Sequence, residues 1–191
     1  MEAFFFSIPA VALAEIGDKT QLLALLLAAR FRRPLPILAG ILVATLANHA
    51  LAAALGVAAA EMLQAAWLPW LIGLSFVLLG LWILRPDSLE CPTAPLRVRG
   101  VFLATLVPFF LCEIGDKTQV ATLALAAHFS SFALVTLGTT LGLFLANLPA
   151  VLLGGFAAER LPLAWIRRAA ALAFVALGLA TLASAPTTPW G

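Results

Sequence analysis

Charged side chains are scarce in this chain. Only 10% of its 191 residues are Asp, Glu, Lys or Arg, and 63% are hydrophobic. Soluble domains carry about 25% charged residues, so the composition argues against a soluble globular protein and indicates an integral membrane protein. Two cysteines are too few for a disulfide framework. The sequence also has no basic patch and no glycine-rich phosphate loop, so we expect no nucleic-acid partner and no bound cofactor.

Long apolar runs occupy most of the chain. A helix needs roughly 20 apolar residues to cross a bilayer, and six candidate runs cover about residues 3–29, 35–60, 66–84, 101–127, 132–158 and 165–185. The runs are unbroken, rich in Leu and Ala, and without period-2 alternation, which favours helices over barrel strands. The predicted fold class is an all-α integral membrane protein with six transmembrane helices.

Arginine is distributed unevenly among the predicted loops. All nine arginines fall in the loops between runs 1 and 2, 3 and 4, and 5 and 6, or at the edges of those loops. With six spans, these three loops lie on one side of the membrane. Because basic loops remain in the cytoplasm, we expect a multi-pass protein of the cell membrane with both termini outside the cytoplasm.

The heptapeptide EIGDKTQ occurs twice, at residues 15–21 and again at 113–119, 98 residues later. The first copy lies in a span that runs inward and the second in a span that runs outward. Such duplication in opposite orientations is typical of inverted-repeat transporters. We therefore predict two inverted three-helix repeats, residues 1–84 and 101–191, joined by a cytoplasmic linker at 85–100.

Each heptapeptide carries Glu, Asp and Lys at spacings that place all three side chains on one face of a helix. Its glycine, Gly17 or Gly115, allows close helix approach or local unwinding. Ionised groups at membrane depth cost about 2.5–3.5 kcal/mol each, so they must face one another, water or a ligand. Packing the two copies together would collect four carboxylates, those of Glu15, Asp18, Glu113 and Asp116. Lys19 and Lys117 would modulate their charge, which leaves −2 when all six groups are ionised and balances one divalent cation.

Amide side chains offer further oxygen atoms close to these acids. Asn48 and Asn147 lie 99 residues apart in matching spans, and Gln21 and Gln119 end the two heptapeptides. Hard divalent cations prefer oxygen ligands, so the predicted metal ligands are the four acids and these four amides. Two simpler interpretations stay open: ion pairs that lock the helices together, and interhelical hydrogen bonds from the amides.

Two further expectations concern the heptapeptides. Thr20 and Thr118 are predicted to point away from the acids and to bond their own backbone. Crowded carboxylates in a low-dielectric site repel one another and should take up protons when a metal leaves. A site that holds either a cation or protons, between inverted halves, is the physical basis of an antiporter.

The motif pair resembles that of the GDT-type manganese/calcium cation–proton exchanger family, which includes the small bacterial, MneA-like manganese exporters. Two copies of E-Φ-G-D-[KR]-[ST] in spans 1 and 4 carry the resemblance, as does LANHALAAALG in span 2. It implies a transporter rather than an enzyme, which exports Mn²⁺ in exchange for protons with the motif acids as ligands. The alternatives are a Ca²⁺/H⁺ exchanger, a small amino-acid exporter and an intramembrane hydrolase. The oligomeric state stays open.

Overall fold

A computed structural model describes residues 1–63, 67–85, 100–153 and 163–186, so nearly all of the predicted linker 85–100 lies outside the described residues. Within these ranges the chain forms eight α-helices and no β-strand. They are α1 (Glu2–Glu15), α2 (Lys19–Phe31), α3 (Pro34–Met62), α4 (Leu68–Ile83), α5 (Val101–Glu113), α6 (Lys117–Phe129), α7 (Phe132–Leu153) and α8 (Leu163–Ala183). The all-α fold class is therefore confirmed for this part of the chain.

Three of these helices, α3, α7 and α8, are long and apolar enough to cross a membrane. Two others, α4 and α5, are apolar but shorter. The count of six spans stays a prediction, because the first and fourth runs are each divided between two short helices.

These two runs are not continuous helices: of the two possibilities for the motif glycines, close helix approach or local unwinding, the structure shows local unwinding. Each is interrupted inside the heptapeptide, where Gly17 (φ 83°) and Gly115 (φ 75°) adopt left-handed backbone conformations that L-residues with a side chain avoid. Glu15 consequently ends α1, and Asp18 caps the amino end of α2. The prolines Pro9 and Pro108 stay inside α1 and α5 instead of marking the break.

The two repeats pack against each other through reciprocal contacts. A Cβ atom on Gly40 of α3 would lie 2.9 Å from the Phe102 carbonyl oxygen of α5. The equivalent Gly138 of α7 approaches the Phe4 carbonyl oxygen of α1, where a Cβ atom would lie at 2.7 Å. Both pairs of positions are 98 residues apart, so the same contact occurs twice with the repeats exchanged, as in a twofold-related interface. Small residues allow this close approach of helix backbones.

The last helices of the two repeats, α4 and α8, pack against each other and run antiparallel. Gly73 meets Gly178, and Gly80 meets Ala171 further along the pair. The carboxyl end of α4, after which Arg85 follows, therefore lies beside the amino end of α8. This is consistent with one common face for the arginine-rich loops.

Candidate metal site

The four motif acids lie at the two helix breaks and are buried. Glu15 and Glu113, at the carboxyl ends of α1 and α5, have no exposed surface. Asp18 and Asp116, at the amino ends of α2 and α6, are 3% and 2% exposed. Because each acid belongs to a short half-helix, the breaks let the glutamates and aspartates approach one another from different helix ends.

Three of the four acids form one cluster. Carboxylate oxygens of Glu15, Glu113 and Asp116 all lie within 4.8 Å of one another. Two oxygens on opposite sides of a Ca²⁺ ion are about 4.6–5.2 Å apart, given Ca–O distances of about 2.3–2.6 Å. A single divalent ion could therefore contact all three side chains. Asp18 does not belong to this cluster.

Asn147 adds an amide to the cluster. Its Nδ2 donates to Glu15 Oε1 at 3.3 Å and to the Leu143 carbonyl oxygen at 3.1 Å. Each of the three clustered acids and Asn147 has one buried oxygen without a hydrogen-bond partner among the described residues: Glu15 Oε2, Glu113 Oε1, Asp116 Oδ2 and Asn147 Oδ1. Buried acceptors are normally satisfied, so a set of four unsatisfied oxygens of this kind suits a cation.

Two ion pairs connect the repeats beside this cluster. Lys19 Nζ lies 2.9 Å from Asp116 Oδ1, and Lys117 Nζ lies 3.6 Å from Asp18 Oδ1. The interpretation of the heptapeptides as ion pairs that lock the helices therefore describes these two pairs, in which both acidic partners are aspartates and neither is a glutamate. Three ionised carboxylates in the cluster together with Lys19 leave a charge of −2, which one divalent cation neutralises.

The glutamines hold the two breaks in place. The Oε1 atom of Gln21 accepts from the Gly17 backbone N–H at 2.9 Å, and that of Gln119 accepts from the Gly115 N–H at 2.6 Å. Gln21 also donates from Nε2 to the Ala146 carbonyl oxygen at 2.8 Å. Both side-chain oxygens thus already accept hydrogen bonds, and their observed contacts position the breaks.

The two asparagines differ in their surroundings although they occupy matching helices. Asn48 accepts at Oδ1 from the Gln119 amide and donates from Nδ2 to the Phe110 carbonyl oxygen at 3.3 Å. Only Asn147 reaches a motif acid. His49 is fully buried next to Asn48, and neither ring nitrogen has a hydrogen-bond partner among the described residues.

Thr118 has a role that the sequence interpretation did not predict. It was expected to bond its own backbone, but its hydroxyl donates to Glu113 Oε2 at 2.8 Å. The break explains the difference: Thr118 and Glu113 lie five residues apart on two separate helices, so continuous-helix angles do not apply. The hydroxyl leaves the other oxygen, Oε1, available.

A cavity of about 640 Å³ lies away from these groups, between α2, α3 and the carboxyl end of α7. Its lining is mostly leucine and alanine, with Arg32 and Arg33 among the lining residues. None of the eight predicted ligands lines it, so this cavity is not the cation site.

Half-helices from both repeats that meet at a buried carboxylate cluster are a feature that recurs in helical membrane transporters built from structural repeats. The chain belongs to the GDT1 family, described as divalent cation/proton antiporters, whose family model matches residues 3–90 and 101–189. These two matched segments correspond to the two repeats.

Individual relatives agree with this family. A Vibrio cholerae protein named "Putative manganese exporter" is 50% identical over 182 residues, which cover 95% of this chain and 90% of that protein. GDT1-like protein 4 of Arabidopsis thaliana is 28% identical over 94% of both chains. GDT1-like protein 4 of Oryza sativa subsp. indica is 27% identical over 94% of this chain and 73% of its own length. No solved structure matches the chain.

Proposed function

We propose that this protein exports Mn²⁺ from the cytoplasm in exchange for protons. The observation that carries the proposal is the set of four buried, unsatisfied oxygens on Glu15, Glu113, Asp116 and Asn147. An all-oxygen donor set with a charge of −2 fits a hard divalent cation. The name of the Vibrio cholerae relative supports manganese as the substrate.

The ligand set follows from the geometry. Glu15, Glu113 and Asp116 contact the cation directly, and Asn147 supplies an amide oxygen. Asp18, Asn48, Gln21 and Gln119 are candidates for ligands in another conformation, because the halves of an inverted repeat exchange environments during alternating access. Lys19 and Lys117 set the charge of the site through their ion pairs with the aspartates.

Proton coupling follows from electrostatics. When the cation leaves, three carboxylates within 4.8 Å of one another repel strongly in a low-dielectric interior, and protonation relieves that repulsion. A returning cation displaces those protons. Each transport cycle therefore exchanges a metal ion for protons at the same oxygens.

The proposed architecture is six transmembrane segments in two inverted repeats, in which α1 with α2, and α5 with α6, each form one broken segment. The arginine-rich loops face the cytoplasm, and both termini lie outside it. Broken helices near the midplane recur in secondary transporters because they expose backbone and side-chain ligands to the substrate.

Ca²⁺ is the second candidate substrate. Ca²⁺ takes six to eight oxygen ligands at about 2.3–2.6 Å, and the spacing of the three carboxylates suits an ion of that size. Preference between the two cations depends on how many further oxygens complete the shell.

Transport by the purified protein in liposomes tests the proposal. An imposed pH gradient should drive movement of Mn²⁺, with Ca²⁺, Mg²⁺ and Zn²⁺ compared in parallel, and collapse of the gradient should stop it. Glu113→Gln serves as the inactive control, because it removes a charge with little change of volume. Cation flux that is indifferent to the pH gradient would contradict the exchange mechanism.

A further inference from the structure

One stripe of α7 carries hydroxyl groups that the cation site does not use. Thr136, Thr140, Leu143 and Asn147 recur at spacings of four, three and four residues, so they share one face of the helix. At about 1.5 Å per residue, Thr140 lies ~10 Å and Thr136 ~16 Å from the level of Asn147, toward the beginning of α7. The stripe therefore leads from the cation site to the end of the molecule where α7 begins.

These two hydroxyls differ from most other buried threonine hydroxyls in the described helices. Threonine in a membrane helix usually donates to a carbonyl oxygen one turn earlier. Four threonines do so, namely Thr105, Thr122, Thr139 and Thr181. Thr136 and Thr140 are each only 4% exposed, yet their Oγ1 atoms have no partner among the described residues. Their hydroxyls are thus available to a ligand or to water.

The equivalent stripe of the first repeat is apolar. Thr136 corresponds to Leu38 or Ile37, and Thr140 to Leu42 or Ile41, depending on whether the offset is 98, as between Gly138 and Gly40, or 99, as between Asn147 and Asn48. Every one of these counterparts is apolar. Both isoleucines are fully buried. Two repeats with identical heptapeptides therefore differ along the stripes that lead away from the site in opposite directions.

A third pair of positions shows the same contrast. Ser7 of α1 packs on Gly138 of α7, is fully buried, and has no partner for its hydroxyl among the described residues. Its counterpart Thr105 donates to the Val101 carbonyl oxygen at 2.9 Å. Five buried hydroxyls have no partner among the described residues, and three of them, on Ser7, Thr136 and Thr140, belong to α1 and α7. The other two belong to Thr20 and Thr45.

We propose that Thr136 and Thr140 line the route by which a divalent cation passes between the carboxylate cluster and the side of the membrane where α7 begins. Hydroxyl oxygens along such a route replace part of the hydration shell that the ion loses. Leu143, fully buried between Thr140 and Asn147, closes the route in this conformation. The inference rests on the proposed cation transport and adds the path to it.

The test is a double variant, Thr136→Val with Thr140→Val, which removes both hydroxyls at nearly constant volume. Thr139→Val is the matched control on the same helix, because its hydroxyl only bonds the Val135 carbonyl oxygen and the Thr136 carbonyl oxygen. We expect the double variant to lower the initial rate of Mn²⁺ transport in liposomes about tenfold or more, since a dehydrated cation crosses apolar surface poorly. Its Mn²⁺ affinity in detergent should stay within about twofold, because no ligand of the cluster changes.

The double variant Thr136→Ser with Thr140→Ser keeps both hydroxyls and should retain most of the transport rate. Wild-type transport rates in the valine variant would overturn the inference, as would equal losses in the Thr139→Val control. A parallel loss of Mn²⁺ binding and Mn²⁺ transport would place the threonines in the cation site itself and would also overturn the inference. Failure of the proposed function looks different, because the wild-type protein itself would then move no Mn²⁺.

Discussion

Replacement of Asp116 by Asn tests the carboxylate cluster as the cation site. Asp116 contributes one of the three clustered carboxylates, and it also accepts the ion pair from Lys19 at 2.9 Å. The substitution takes the cluster from −2 to −1, because two carboxylates and the lysine remain. It also leaves the lysine ammonium beside the cation without its counter-charge.

The magnitude follows from the loss of a buried charged contact. Removing one partner of a buried charge pair costs about 2–5 kcal/mol, and 1.4 kcal/mol is a factor of about ten in affinity. We therefore expect Asp116→Asn to raise the dissociation constant for Mn²⁺ by about 30-fold to more than 1,000-fold. Asp18→Asn is the matched comparison from the other heptapeptide. Its carboxylate lies outside the cluster and pairs with Lys117, so its effect should resemble the 10- to 100-fold loss seen when indirect partners of a metal site are removed.

Calorimetric titration of the purified proteins with Mn²⁺ measures both constants, and thermal unfolding without metal checks that the variants are folded. A folded Asp116→Asn protein that binds Mn²⁺ within about threefold of wild type would refute the cluster as the cation site. A larger loss for Asp18→Asn than for Asp116→Asn would indicate that binding occurs in a conformation in which the two repeats have exchanged roles.

Four further outcomes are expected. Mn²⁺ affinity should weaken as pH falls, because protons compete for the same carboxylates. Calorimetric titration with Mn²⁺ in buffers of different ionisation enthalpy should detect the protons that the metal releases. A proton release of zero between about pH 6 and 8 would exclude cation–proton exchange at this site. Lys19→Gln should strengthen Mn²⁺ binding at high pH and steepen the decline of Mn²⁺ affinity toward low pH, since loss of the lysine ammonium favours the binding of both metal and protons to the acids. Mn²⁺ affinities at pH 6 and 8 that are identical to those of the wild type would contradict this. Gly17→Ala should lower the melting temperature more than Gly115→Ala. Both substitutions carry the cost of a positive φ, but a Cβ on Gly17 also meets the Leu163 side chain at 2.9 Å, whereas no described residue lies within 4 Å of a Cβ on Gly115. Equal losses would show that the Leu163 contact is absent in the membrane. A carboxyl-terminal reporter that is active only in the cytosol should stay silent, and strong activity would reverse the proposed orientation.

The sequence predicted the class of fold and the acids because both depend on composition and repetition. The long apolar runs indicate membrane-spanning segments. Such segments form helices because a helix satisfies the hydrogen bonds of every backbone polar group within one segment. The duplicated heptapeptide predicted that the acids of the two repeats would meet, because isolated charges at that depth are costly. These arguments need no knowledge of dihedral angles.

The sequence left open whether the motif glycines break their helices. Glycine in a membrane helix allows either close helix approach or local unwinding, and the sequence does not distinguish the two. Gly138 lies in a regular helix and contacts α1 closely, whereas Gly115 adopts a positive φ and ends the regular backbone. Because both heptapeptides are broken, the predicted common face of Glu, Asp and Lys was wrong, as was the predicted role of Thr118.

Identical heptapeptides also acquire unequal surroundings, which no local pattern could predict. Asp116 joins the carboxylate cluster while Asp18 pairs with Lys117 outside it. The flanking helices differ: Leu163 at the start of α8 covers Gly17, whereas no described residue covers Gly115. Tertiary packing therefore decides which of two equivalent acids joins the carboxylate cluster.

The crossed ion pairs have a consequence for biosynthesis. Lys19 finds its partner on Asp116, and Asp18 finds its partner on Lys117, so the first repeat cannot neutralise its own heptapeptide in this way. At about 5–20 residues per second, the ribosome needs roughly 5–20 s to make the 98 residues that separate the two copies. During that interval the first heptapeptide lacks the two ion-pair partners that the second one supplies. We therefore expect the insertion machinery to shelter the first repeat until the second one arrives, and we expect a chain that is truncated after the first repeat to be recognised as incomplete and degraded.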